Sequence, residues 1–287
     1  MNRSEGPAPT PVFDLRDFTR TARGSHRDRL ELAAYAGQPL DGETAELVRL
    51  LARLERGALA YLRSVLVTPT HSDARMTAFL VTWAYEKYWL ADALEAIADT
   101  HPAPADPAAP LGLRLRRAWH AVAERLEPIR ESVVANLIGE DVIAVHCLAG
   151  ALDEWLVQAA YQRLAEHTPH SVLARTLREL LEVKQRHRSF FETQAQQRLQ
   201  ASPSAAGLAR RRLRRMAWPL GSQDEAPETL ARLLDGLLAG TDLAEIDRQL
   251  DVYPGLAGLG LATTAGTRAS RGARRPTGPQ AKEGSRP

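Results

Sequence analysis

Lys184 and His187 stand where apolar residues belong. Between His170 and Gln200, Leu173, Leu177, Leu180, Lys184, His187, Phe191 and Ala195 recur at helical spacing, so an amine and an imidazole point where leucines and phenylalanines point. Burying an ammonium group is costly unless a carboxylate meets it or it gives up its proton. The rest of the chain should therefore supply acid. Glu55 lies on an apolar face with Leu51, Ala58 and Leu62, and Glu154 follows the small pair Gly150-Ala151, which permits close helix approach. A second lysine, Lys87, shares the row of Leu80, Trp83, Ala84, Leu90, Ala91 and Leu94, while Glu86 lies on the neighbouring stripe with Phe79, Trp83, Trp89 and Ala93. Glutamates and a histidine facing inward suit metal ligation; glutamates facing lysines suit a self-neutralising ion network.

Long helices must position these groups. The first runs from Asp41-Gly42 to Thr68-Pro69 and carries Glu55; the second runs from about Ser72 to Asp99, is apolar almost all round, and carries Glu86 and Lys87. Residues 101–110, rich in proline, form a stiff linker to a third helix, Leu111 to about Leu137, in which Pro128 makes a kink. A fourth, Asp141 to about His167, carries Glu154, and the helix of Lys184 follows Thr168-Pro169. Lys87 stands 32 residues after Glu55, Glu154 67 after Lys87, and Lys184 30 after Glu154. Two helix hairpins separated by a crossing helix bring all five groups to one level, and the expected fold is all-α.

Residues 1–40 read as a loose leader with a short helix near Arg27 to Ala36, and 41–220 as the helical bundle. Residues 221–261 hold two short helices docked on the bundle or tethered to it. Residues 262–287, with six basic residues, one acid and no aromatic, read as a disordered basic tail. Around residues 208–218 a basic helix sets Leu208, Leu213, Met216 and Trp218 against a run of arginines. Such a run is most often a solvated face, with an acidic partner or lipid as the alternative.

The chain has 287 residues, 44% of them apolar, and a formal charge of +2, so no global field draws it to nucleic acid. Its single cysteine, Cys147, excludes an internal disulfide framework and reads as a small core residue. No signal-peptide segment and no uncharged apolar run of membrane-spanning length is present, and a cytoplasmic protein is expected.

At the ionisable positions the chain resembles the ferritin-like superfamily. It is most similar to the branch with a crossing helix that contains acyl-carrier-protein desaturases and ribonucleotide reductase small subunits. EKYWL at Glu86–Leu90 and WPLG at Trp218–Gly221 extend the likeness, which covers about residues 40–220. The resemblance implies two iron or manganese ions held by an acid, Glu-x-x-His, Glu and Glu-x-x-His on four successive helices. It places Glu55 and Glu154 at acids and His187 at a histidine, but Lys87 and Lys184 at glutamates and Leu90 at the other histidine. Using Glu86 recovers one acid and puts Trp89 at the histidine.

The favoured expectation is a degenerate dimetal pocket with no metal and no cofactor, the lysines serving as internal counter-charges, in a protein that binds a partner protein or an apolar small molecule and is compatible with a homodimer. The alternative is an oxygen-activating hydroxylase or desaturase-like oxidoreductase with atypical iron or manganese at Glu55, Glu154, His187 and Glu86. A third idea follows the metal-free ribonucleotide reductase small subunits, which place Lys at a ligand position and use a modified tyrosine. Tyr161 and Tyr88 are the candidates there, but the family's radical tyrosine maps to Leu94. Against all three stands the plain alternative that each lysine snorkels to solvent along its apolar stem and His187 is an ordinary core histidine.

Overall fold

The computed structural model describes residues 13–101 and 139–274. The expected linker and third helix lie outside the described residues. Within them the fold is all-helical. Four long helices dominate: α3 (Gly42–Leu66), α4 (Ala74–Ala98), α5 (Asp141–His167) and α6 (Ser171–Ala201), preceded by α1 (Leu15–Arg20) and α2 (Leu32–Gly37).

Their ends follow local chemistry. Asp41 caps α3 by accepting from the Thr44 N–H, Asp73 caps α4 at Met76, and His170 Nδ1 caps α6 at Leu173. The chain leaves helical geometry after Leu66, where Thr68-Pro69 forbids continuation.

α3 packs along α4 and α5 along α6. The two pairs face one another across the interior. Phe79 of α4 stacks on Phe190 of α6 with ring centroids 3.7 Å apart, and Cys147 Sγ lies 3.7 Å from Met76 Sδ. Gly150 is a true close approach, since a Cβ there would lie 2.5 Å from the Phe191 ring. α5 has the length and hydropathy of a membrane span, yet most of that window is buried inside the protein.

The described parts of two stretches expected to be loose are helical in part. In the leader, Phe18 of α1 and Tyr35 of α2 are buried. The helix expected near Arg27 to Ala36 is split into a 3-10 turn at Arg27–Arg29 and α2, with Leu30 extended between them. At the other end, Leu261–Ala273 forms a helix, α10, where a disordered tail was expected. It buries Leu261 together with Ala262, Gly266 and Ala269, three small residues that let it approach closely: a Cβ on Gly266 would lie 2.8 Å from Leu243 Cδ1. Before it, α7 (Pro203–Leu213) packs on α5 and α6. Then α8 (Pro227–Ala231) continues as a π-helical turn to Leu237, and α9 (Gly240–Asp251) is tied to α5 by an Arg163–Asp242 ion pair. The basic helix expected around residues 208–218 ends at Leu213, so Arg214, Arg215, Met216 and Trp218 lie beyond it; Leu208, Leu213 and Trp218 are buried, Met216 is half-buried, and Arg211, Arg214 and Arg215 are exposed.

Candidate functional site

Each of the four long helices delivers charge to the same interior. Glu55 from α3, Lys87 from α4, Glu154 from α5, and Lys184 with His187 from α6 all have 0% exposure. The lysines do not snorkel. Lys184 Nζ bridges the two acids, 2.8 Å from Glu55 Oε1 and 2.9 Å from Glu154 Oε2. Lys87 Nζ lies 2.7 Å from Glu55 Oε2, 3.4 Å from Asp153 Oδ2 and 3.5 Å from Glu154 Oε1. Both Glu55 oxygens thus face an ammonium, and the network alternates in sign around its core.

Neutral donors add hydrogen bonds to Glu55 Oε1 and to both Glu154 oxygens. Tyr161 O–H donates to Glu55 Oε1 at 3.0 Å. Trp83 Nε1 donates to Glu154 Oε1 and Gln158 Nε2 to Glu154 Oε2, each at 3.2 Å, and Gln158 Nε2 also lies 2.8 Å from the Lys184 carbonyl. These bonds help make a buried network tolerable in a low-dielectric interior; among the described residues, Glu55 Oε2 and His187 Nδ1 have only their ion-pair contacts to Lys87 and Glu154.

Glu86 also points inward, so α4 supplies both an acid and a lysine to the interior. It does not join the Glu55–Lys184 cluster directly. Its Oε2 lies 2.7 Å from His187 Nε2, while its Oε1 accepts from the Arg23 backbone N–H at 2.6 Å and pairs with Arg186. His187 links the groups, its Nδ1 being 3.4 Å from Glu154 Oε1. The N-terminal segment therefore reaches the site, although its sequence suggested no chemistry. Phe18 sits edge-on to the His187 ring. Leu90 is buried core, Trp89 is half-buried, and Tyr88 is exposed beneath the Arg56 guanidinium.

Asp153 is the group the sequence reading passed over. It is buried beside Lys87, and its Oδ1 accepts from the Leu220 N–H at 2.9 Å, which ties the WPLG segment to α5. The same segment touches α3 at Gly57, where a Cβ would lie 2.6 Å from Gly221 Cα. Gly221 has a φ of 81°, which glycine adopts without strain. An acid within the near-continuous apolar run of α5 was the available clue.

The electrostatics follow from competition between burial and partners. For Glu154, burial raises the carboxyl pKa, but Lys184, Lys87 and the His187 hydrogen bond outweigh it and hold the group well below its ordinary value. Burial likewise opposes ionisation of Glu55, and Lys184 and Lys87 bring it below the usual range. Lys87 loses to burial less than it gains from Glu154, Glu55 and Asp153, so its pKa is raised well above normal. Burial pushes Asp153 up to about 6, with Lys87 only partly opposing, since that ammonium is closer to Glu55. Tyr161 is raised well above normal by burial and then by Glu55.

These directions restrict the chemistry. Lys87 stays an ammonium and Tyr161 a phenol at neutral pH, so neither is primed as a nucleophile. The arrangement is an enclosed cluster in which Lys87 and Lys184 face Glu55 and Glu154, with Asp153 a further acid beside Lys87. Among the described residues, no group of three His, Cys, Asp or Glu side chains is placed to hold one metal ion. Comparison with protein families, curated proteins and solved structures found no match to this chain.

Proposed function

We propose that this chain is a ferritin-like helical scaffold whose dimetal centre has been rebuilt as a metal-free lysine–carboxylate network, and that it acts by binding a protein partner or an apolar small molecule. The observation that carries the proposal is Lys184 Nζ spanning Glu55 and Glu154 at 2.8 and 2.9 Å. Two hard divalent ions want a surplus of anionic oxygen. Here Lys87 and Lys184 stand at positions where the resemblance expects glutamates, and their charges cancel those of Glu55 and Glu154 without any ion. Glu86 is matched separately by Arg186 and lies in hydrogen-bond contact with His187.

A second reading, an oxygen-activating iron or manganese oxidoreductase, draws on the inward set Glu154, His187 and Glu86. It would have to displace the Arg186 and Arg23 contacts of Glu86. Elemental analysis of the chain expressed with iron and manganese in excess tests the choice. The proposal expects no stoichiometric metal and no reductant-dependent oxygen uptake. About two ions per chain would restore the dimetal reading, and one ion with oxygen uptake would establish the second.

A further inference from the structure

An apolar recess lies away from the buried charges, between the WPLG segment and the C-terminal helices. It encloses about 450 Å³, and its walls include Leu213, Trp218, Leu230, Leu234, Leu261 and Ala265. That volume falls within the roughly 300–1,000 Å³ of small-molecule sites.

Its polar lining consists of Arg214, Ser222, Gln223, Glu225, Thr264 and Arg268. Arg214 and Arg268 are exposed at the lining and make no ion pair among the described residues. The lining acid Glu225 is engaged elsewhere, in a two-point pair with Arg53 at 2.8 and 3.0 Å. The hydroxyl of Ser222, a lining residue only 2% exposed, has no hydrogen-bond partner. An unpartnered buried hydroxyl, apolar walls and two free guanidinium groups together describe a receptor for an amphipathic anion.

We propose that this recess binds a linear aliphatic carboxylate, with its chain against Trp218, Leu230 and Leu234 and its carboxylate at Arg214 and Arg268. The proposal rests on the reading of the chain as a binding scaffold and assigns the site and ligand class. The chain adds an apolar surface term to affinity, and the exposed arginines choose the sign of the head group. That choice should weaken with salt.

Isothermal titration of the full chain with sodium decanoate below its micellar concentration tests this in low salt. One saturable site is expected, with octanoate roughly tenfold weaker, as two methylenes imply. Decyltrimethylammonium should bind at least tenfold more weakly than decanoate. Arg268→Glu, on an exposed side chain, should weaken decanoate at least fivefold without moving the unfolding midpoint, and Ala265→Phe, which fills the recess, should remove binding. Absence of saturation, equal binding of the cationic amphiphile, or uptake indifferent to both substitutions would overturn the assignment. Metal analysis of the same samples separates the two failures: a metal-free chain that ignores decanoate overturns only this site, whereas stoichiometric metal overturns the metal-free scaffold itself.

Discussion

Lys184 Nζ lies 2.8 Å from Glu55 Oε1, and both side chains are sealed from solvent. These residues are 129 positions apart on α3 and α6, so the pair closes the interior across the fold. Removing one partner from a buried pair costs about 3–5 kcal/mol, because the other charge remains without compensation. Lys184→Met should therefore lower stability in urea by about that amount, while Lys184→Met with Glu154→Gln should lose less than the sum of the single changes. Strict additivity would show that the ammonium and the acid do not act as a unit.

The Lys87 contact has its own consequence. Lys87→Ala removes the counter-charge of Glu55 Oε2 and the contact to Asp153, and should destabilise by about 3–5 kcal/mol for the same reason. An unchanged unfolding midpoint would favour a Lys87 whose head snorkels to solvent.

Asp153 gives a pH dependence with a definite sign. Its folded carboxyl, pushed up to about 6 by burial, holds a proton that an unfolded aspartate releases near 3.8, so its contribution to stability falls as pH rises between those values. Glu55 and Glu154 have lowered pKa values, so they stabilise above the ordinary value of 4.5 and lose that contribution as pH falls through their folded values. His26 and His146, pushed down by burial to about 4 and about 3, oppose Asp153 over part of the same range. The comparison must therefore be between wild type and Asp153→Asn. The stability advantage of the wild type should grow by up to about 3 kcal/mol from pH 7 to pH 4. A constant difference would contradict a raised Asp153.

Gly57 and Gly221 meet backbone to backbone. Gly57→Ala should force α3 and the WPLG segment apart and cost about 1–3 kcal/mol, with the Leu220-to-Asp153 hydrogen bond weakened. Amide exchange at Leu220 reports this directly: faster exchange is expected, and unchanged protection would show that the contact yields.

The pocket can also be converted. Lys87→Glu with Leu90→His and Lys184→Glu restores the ligand types that the ferritin-like resemblance expects beside Glu55, Glu154 and His187. Expressed with iron, this variant should take up about two ions per chain. A folded variant that stays free of metal would contradict the mapping.

Periodicity carried much of this site. Glu55, Lys87, Glu154, Lys184 and His187 each fall on an apolar row, and each is buried in one interior. Glu86 and Lys87 looked like alternatives because a single amphipathic stripe admits one of two neighbours. α4 is buried over most of its circumference, which admits both. Asp153 was hidden by its neighbour Glu154, as one acid satisfied the spacing. Arg23 was invisible because it acts through a backbone N–H, which no side-chain pattern encodes. The helix at Leu261–Ala273 was missed because alanine and glycine bury little surface each, so close packing leaves a weak hydrophobic signature.

The chain contains only three lysines, Lys87, Lys184 and Lys282, the last outside the described residues. Lysine-selective ¹⁵N labelling thus gives a spectrum of three side-chain signals. Two should be ammonium resonances with hydrogens protected from exchange at pH 7, whether or not iron was supplied during expression. Three rapidly exchanging signals, or two that shift and broaden when the chain loads with iron, would contradict lysines as the fixed counter-charges of Glu55 and Glu154.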